Sequence, residues 1–200
     1  GWNVIEGNGN LSETVVHGTR VSGVIGAEGN NGTGIAGICW RVQLMGVRCF
    51  AASTTTLSTI IGAFDYVLDQ DEPVRIVNAS FSDDEFSQPF YDIIEAVRQR
   101  GILVVAAAGN DGRSLDDEPT YPASFDLDNV VSVASVSITG ALAGSSNYGT
   151  GVSLAAPGVS LLTTDSGGGY QYVSGTSYAA PVVSGAAAVL LADLPLVEPY

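Results

Sequence analysis

Two hundred residues with 46% hydrophobic side chains and 25 glycines are enough to bury a sizeable core and suit a single α/β domain with tight turns. Twenty-one acids against seven arginines and no lysine give a formal charge of −14, a field that repels nucleic acid and anionic lipid and excludes a nucleic-acid-binding role. No apolar run approaches the ~20 residues that a membrane-spanning helix needs, so no membrane partner is expected.

In chain order, the hydrophobic patterns predict helices over 17–27, 56–69, 88–100 and 177–192. They alternate with predicted strands over 42–48, 74–80, 102–107 and 130–136. That alternation implies a mostly parallel sheet with helices on both faces, a three-layer α/β/α fold. Gly140 to Gly151 and Thr164 to Gly169 read as loops, and the runs 152–155 and 170–173 as a late hairpin. Cys39 and Cys49 flank the strand predicted over 42–48. Ten extended residues would separate them by ~30 Å, so they are expected to stay unpaired. Sequons at Asn10, Asn31 and Asn78 are permissive patterns only. Acid excess without lysine fits a secreted or salt-tolerant protein, and fits solubility with an arginine-rich codon bias equally well.

Three segments carry chemistry. His17-Gly18-Thr19-Arg20 opens the first helix with the only histidine of the chain, a side chain that titrates near neutrality and can take and return a proton. Ala106-Ala107-Ala108-Gly109-Asn110 ends a buried parallel strand, where open α/β sheets bind ligands, with an amide able to donate to an oxyanion. Gly175-Thr176-Ser177-Tyr178-Ala179-Ala180-Pro181 sets a serine hydroxyl at the amino end of a helix, where unpaired N–H groups and the helix dipole favour negative charge. Each segment also has a plainer reading: a capping histidine, a turn asparagine and an N-cap serine.

Taken together and in this order, with Val77-Asn78-Ala79-Ser80-Phe81-Ser82 and Tyr121-Pro122-Ala123 between them, the segments resemble the subtilisin-like serine proteases, the subtilases of peptidase family S8. The resemblance runs from Gly1 to about Leu191. It implies a serine endopeptidase in which Ser177 is the nucleophile, His17 the general base and Asn110 the oxyanion-hole side chain. It also implies secretion, extended polypeptides as substrates, and Ser80, Phe81 and Ser82 facing Ala107, Ala108 and Gly109 across a pocket for large apolar side chains, with Asp111 at its rim. Ser82 replaces a glycine common in the family. Gly29-Asn30-Asn31-Gly32-Thr33-Gly34-Ile35 looks like the family's calcium loop, with Asn31 and the carbonyls of Thr33 and Ile35 as ligands. A calcium ion is therefore the one cofactor expected, and no organic cofactor.

The departures define the rest of the expectation. The family places its catalytic aspartate on a strand before the histidine. Glu6 and Glu13 are the only acids upstream of His17, and neither has the required Asp-Ser/Thr-Gly setting. Glu13 reads as a solvated loop charge, and Arg20 stands where the family often has a second histidine. The chain starts without methionine, and its last helix runs into Leu194-Pro195. Residues 1–200 are thus expected to be a partial subtilase catalytic domain, cut at both ends and lacking the N-terminal strand that carries the aspartate. A propeptide or that N-terminal segment is the expected partner, and the chain alone should be nearly inert. A catalytically inactive binding or scaffolding module on the same fold is the alternative. An α/β-hydrolase-type esterase is disfavoured, because His17 precedes Ser177 and no Gly-x-Ser-x-Gly elbow is present.

Overall fold

In the computed structural model, which describes residues 1–12, 16–52, 54–72 and 74–194, the predicted apolar runs become the layers of a three-layer α/β/α fold. The strands are β1 (Trp2–Asn3), β2 (Val47–Arg48), β3 (Ile76–Ala79), β4 (Leu103–Ala107), β5 (Val130–Val136), β6 (Leu154–Pro157), β7 (Leu161–Thr164) and β8 (Tyr170–Val173). The helices are α1 (His17–Gly26), α2 (Leu57–Leu68), α3 (Gln88–Gln99) and α4 (Thr176–Asp193). Strands β3, β4, β5 and β6 lie side by side, in that order, as one parallel sheet.

Strand β4 explains why both outer layers exist. All five of its residues are buried, and the period of two sends alternate side chains to opposite faces. Val104 and Ala106 meet Ile60 and Phe64 of α2 and Phe90, Ile94 and Val97 of α3. Leu103, Val105 and Ala107 meet Ala179 and Ala180 of α4, with Val133 and Ala156 from the neighbouring strands. Helix α4 is long and apolar enough to cross a membrane by length and composition, but it lies along all four strands of the sheet, which accounts for its apolar character.

Helices α2 and α3 begin where the sequence supplies a capping hydroxyl. The Thr56 hydroxyl accepts from the Thr59 N–H at 3.3 Å at the start of α2, and Ser87 accepts from the Phe90 N–H at 3.4 Å at the start of α3. Helix α1 is held between α4 and β7. The Thr163 hydroxyl donates to the Arg20 carbonyl at 2.6 Å and the Thr164 hydroxyl to the Thr19 carbonyl at 2.8 Å. Gly23 of α1 lies against these same two threonines, and a Cβ there would collide with both hydroxyls.

Two expectations are corrected. The strand expected over 42–48 is reduced to Val47–Arg48, paired in parallel with Trp2–Asn3 as a separate two-stranded sheet, because residues 42–45 pair with no strand among the described residues. The expected hairpin between 152–155 and 170–173 does not form. The first run instead begins β6, which joins β5 in parallel from Val133↔Leu154 onward. The antiparallel partner of Tyr170–Val173 is Leu161–Thr164, across a tight turn in which Gly167 and Gly168 take φ of 67° and 77°. A short apolar strand at the edge of a parallel sheet, as β6 is, and one in a hairpin carry the same pattern, so periodicity could not separate them. Cys39 and Cys49 are both free thiols, as expected, and burial pushes the Cys49 thiol up to about 11.

Candidate active site

The site is assembled at the amino end of α4. Gly175 is the N-cap, with φ of 138° and no side chain to cap the helix. Ser177 lies inside the first turn, so the plain capping role does not apply to it. Four residues later Pro181 has no N–H, which leaves the Ser177 carbonyl without its intrahelical donor. The Ser80 hydroxyl fills that gap, donating to the Ser177 carbonyl at 2.8 Å. In return the Ser177 hydroxyl donates to the Ser80 carbonyl at 3.3 Å. Behind Ser80, the Asn78 amide donates to its hydroxyl at 2.8 Å, and Ser184 of α4 donates to Asn78 Oδ1 at 2.9 Å. The end of β3 is thus bonded to α4 at three points.

Asn110 follows β4 through Gly109, whose φ of 103° and contact with Asn147 leave no room for a Cβ. The buried Asn147 braces the turn: its amide donates to the Ala108 carbonyl at 3.0 Å, and its oxygen accepts from the N–H groups of Asp111 and Arg113 at 2.9 and 3.2 Å. Asn110 Oδ1 accepts from the Thr176 N–H at 2.8 Å and from the Thr176 hydroxyl at 3.2 Å. Because a backbone N–H can only donate, this fixes which amide atom is oxygen and leaves Nδ2 as the outward donor. The same Thr176 hydroxyl accepts from the Gly109 N–H at 3.2 Å.

His17 is the first residue of α1, after Val16 as N-cap. Its ring lies 5.5 Å from that of Tyr178, centroid to centroid, at 49°, which brings the imidazole to the helix end that carries Ser177. Arg20, one turn further along α1, donates to Asp165 Oδ1 at 3.1 Å. That bond, with the Ser166 N–H, holds the Asp165 carboxyl below its usual range.

Of the residues singled out in the sequence, His17, Asn110, Ser177 and Ser80 come together around the start of α4. Ala107, Ala108 and Gly109 are buried at the adjoining end of β4, while Ser82 is exposed. The Phe81 ring turns towards Phe50 and Phe90, at 5.7 and 6.4 Å between centroids, and packs partly into the core. Asn31, Thr33 and Ile35 form a separate group in the loop after α1, lining a depression of about 300 Å³. There the Thr33 N–H donates to Asn31 Oδ1 at 3.0 Å. Among the described residues no three His, Cys, Asp or Glu side chains group to hold a metal. Glu13 lies outside the described residues. Sequence reasoning missed Thr176, Asn147, Tyr178 and Asp165. Thr176 and Tyr178 were readable as the neighbours of Ser177, although the contact of Tyr178 with His17 was not; Asn147 and Asp165 are joined to the site only by long-range contacts.

The model of the subtilase family, peptidase S8, matches residues 1–200. The chain is 41% identical over 175 residues to the thermophilic serine proteinase of Bacillus sp. (strain AK1), covering 87% of this chain and 42% of that protein. It is 36% identical over 191 residues to the extracellular basic protease of Dichelobacter nodosus, covering 88% of this chain and 31% of that protein. The chain therefore spans less than half the length of either relative. Among solved structures, a cold-adapted subtilisin-like serine proteinase superposes on 100% of this chain and 69% of its own, with a TM-score of 0.88 and 28% identity.

The Arg20–Asp165 pair has a signed pH dependence. With its folded pKa depressed, Asp165 contributes stability that is present above its unfolded pKa of ~3.9 and lost as pH falls through the folded value. Both side chains are about a quarter exposed (27% and 21%), so the effect is modest. Asp165→Asn should lower Tm at neutral pH, and the two melting curves should converge as pH falls below about 4. Thermal scans of both proteins across that range check it, and a Tm difference independent of pH would show that the charge contributes nothing.

Proposed function

This chain belongs to the subtilase family, and we propose that residues 1–200 carry the histidine-to-serine part of the catalytic domain of a serine endopeptidase. The observation that supports it most is the joining of Asn110 to the start of α4, with the Thr176 N–H donating to Asn110 Oδ1 at 2.8 Å. This bond sets an amide donor beside the residue before Ser177.

In the proposed reaction, rotation about χ1 turns the Ser177 hydroxyl from the Ser80 carbonyl to the His17 imidazole. The hydroxyl oxygen attacks the scissile carbonyl carbon while His17 takes its proton. The negative oxygen of the tetrahedral intermediate accepts from Asn110 Nδ2 and from a backbone N–H at the amino end of α4. Collapse breaks the C–N bond, His17 hands its proton to the leaving amine, and water then hydrolyses the acyl-enzyme by the same two steps. The third member of the triad, an aspartate that fixes the imidazole tautomer, is assigned to a segment outside residues 1–200. Without it turnover should be nearly abolished, a loss of ~3 × 10⁴ in subtilisin, from which that magnitude comes. Extracellular action is proposed by likeness to the Dichelobacter relative, and a propeptide or the aspartate-bearing segment as an intramolecular partner.

A fluorophosphonate probe on the natural gene product tests this reading. Ser177 should be labelled, Ser177→Ala should abolish labelling, and Asn110→Ala should slow peptide turnover by ~10²–10³, again the subtilisin magnitude. An unlabelled Ser177 in the natural product would replace the protease by the binding module.

Extended peptides are the proposed substrates, recognised by main-chain pairing along Ser80–Ser82 and Ala107–Gly109, with room for a large apolar side chain before the scissile bond. A peptide-library profile should favour such residues there; a preference for small or acidic ones would overturn the assignment.

Calcium is proposed at the loop after α1. Asn31 Oδ1 retains a second lone pair beside its bond to the Thr33 N–H, and with the Thr33 and Ile35 carbonyls it offers three of the roughly six to eight oxygens that calcium takes. The remaining ligands would come from water or from residues outside the loop. Chelator should lower the Tm of the natural product, and an unchanged Tm would remove calcium from the account.

A further inference from the structure

Tyr178 directly follows the proposed nucleophile, and its ring is enclosed on several sides. It packs against His17 at 5.5 Å between centroids and is only 8% exposed, between Val21 of α1 and Val173 of β8, with Ile25 and Leu161 alongside. The charge of the Arg20 guanidinium is favoured first by the Asp165 bond and also by the Tyr178 hydroxyl. Asp165, at the end of β7, holds Arg20 at 3.1 Å, and β7 is bonded to the same turn of α1 through Thr163 and Thr164. The ring that touches His17 is therefore fixed by groups on three elements.

We infer that Tyr178 is a positioning residue: its ring, packed among Val21 and Ile25 of α1, Leu161 of β7 and Val173 of β8, sets the orientation of the His17 imidazole for proton transfer with Ser177. A histidine at the first position of a helix has two rotatable bonds, and a general base must come within about 2.6–3.2 Å of the proton that it takes. A displacement of ~1 Å can cost up to ~10²-fold in rate. The flat Tyr178 wall restricts those rotations from the same helix that presents the hydroxyl, so base and nucleophile are referred to one rigid body. The inference rests on the proposed peptidase reading.

The test uses the natural gene product with Tyr178→Ala, Tyr178→Phe, Tyr178→Leu and Arg20→Ala. The readouts are the rate of fluorophosphonate labelling at Ser177, kcat and KM on a peptide, and Tm. Tyr178→Ala and Tyr178→Leu should be labelled about tenfold or more slowly, the loss falling on kcat with KM little changed. Tyr178→Phe and Arg20→Ala both keep the ring and lose only what its hydroxyl shares with Arg20, so both should stay within about threefold of the parent. Tyr178→Leu keeps volume in the core, so it reports on the ring even if the alanine variant fails to fold. A leucine variant labelled within about twofold of the parent, or a phenylalanine variant as slow as the leucine one, overturns the inference. An unlabelled parent protein counts against the peptidase reading alone. There, nuclear Overhauser contacts between the assigned His17 imidazole and the residue-178 ring decide: they should be present in the parent and Tyr178→Phe proteins, and their absence from the parent overturns the inference independently.

Discussion

Pro181 cannot donate a hydrogen bond, so the Ser177 carbonyl one turn earlier in α4 is open, and Ser80 occupies it. This single unmade helix bond decides how the central helix meets the sheet. A helix whose backbone bonds were all internal would meet β3 through its side chains alone, as in the bond from Ser184 to Asn78. With the carbonyl exposed, α4 and the end of β3 share a polar contact that has one register only. Asn78 and Ser184 extend that contact behind it as a part-buried polar network, in which each bond made offsets the cost of removing its groups from water.

The second fastening, at the end of β4, works by a different principle. Asn110 does not hold Thr176 by packing; its oxygen answers a helix N-terminal N–H that would otherwise lack a partner. Gly109 makes this possible by a backbone conformation that excludes a side chain, and Asn147 makes it rigid by bonding to the residues on both sides. Serine, asparagine and the positive end of α4 thus converge because orphaned backbone groups of one helix are matched by the ends of two strands. Desolvation of those groups is what makes the arrangement specific rather than approximate.

The parts of the site that could be read in the sequence were those whose chemistry is local. Ser177 in its Gly-Thr-Ser-Tyr-Ala run, Asn110 at a strand end and the only histidine each sit inside a short pattern that dictates their surroundings. The three-layer arrangement was legible for the same reason, since each helix and strand shows its own period. Strand β6 and the hairpin of β7 and β8 were not, because pairing depends on which apolar run lies next in space. Asn147, Tyr178 and Asp165 were hidden for a related reason: Asn147 looks like one more loop residue among glycines and serines, and Asp165 like a solvated charge. Their roles exist only once β4, α1 and β7 have been brought together. The strand expected over 42–48 shrank to its last two residues because the rest meets no neighbouring strand among the described residues, which the pattern of a single run does not reveal.

Gly23 lies six residues along α1 from His17, about 9 Å down the helix axis, against the hydroxyls of Thr163 and Thr164. Gly185 of α4 makes a similarly close approach, to Ile38 and the Ile25 carbonyl. Helix α1 is therefore seated where glycine lets the side chains of its neighbours come close, with the imidazole carried on its first residue. A methyl group at Gly23 would push α1 away from β7, strain the bonds from Thr163 and Thr164 to its first turn, and carry the histidine with it. In mechanical terms the alignment of the proposed base and nucleophile depends on how closely α1 is seated, and the smallest residues in the chain set that distance.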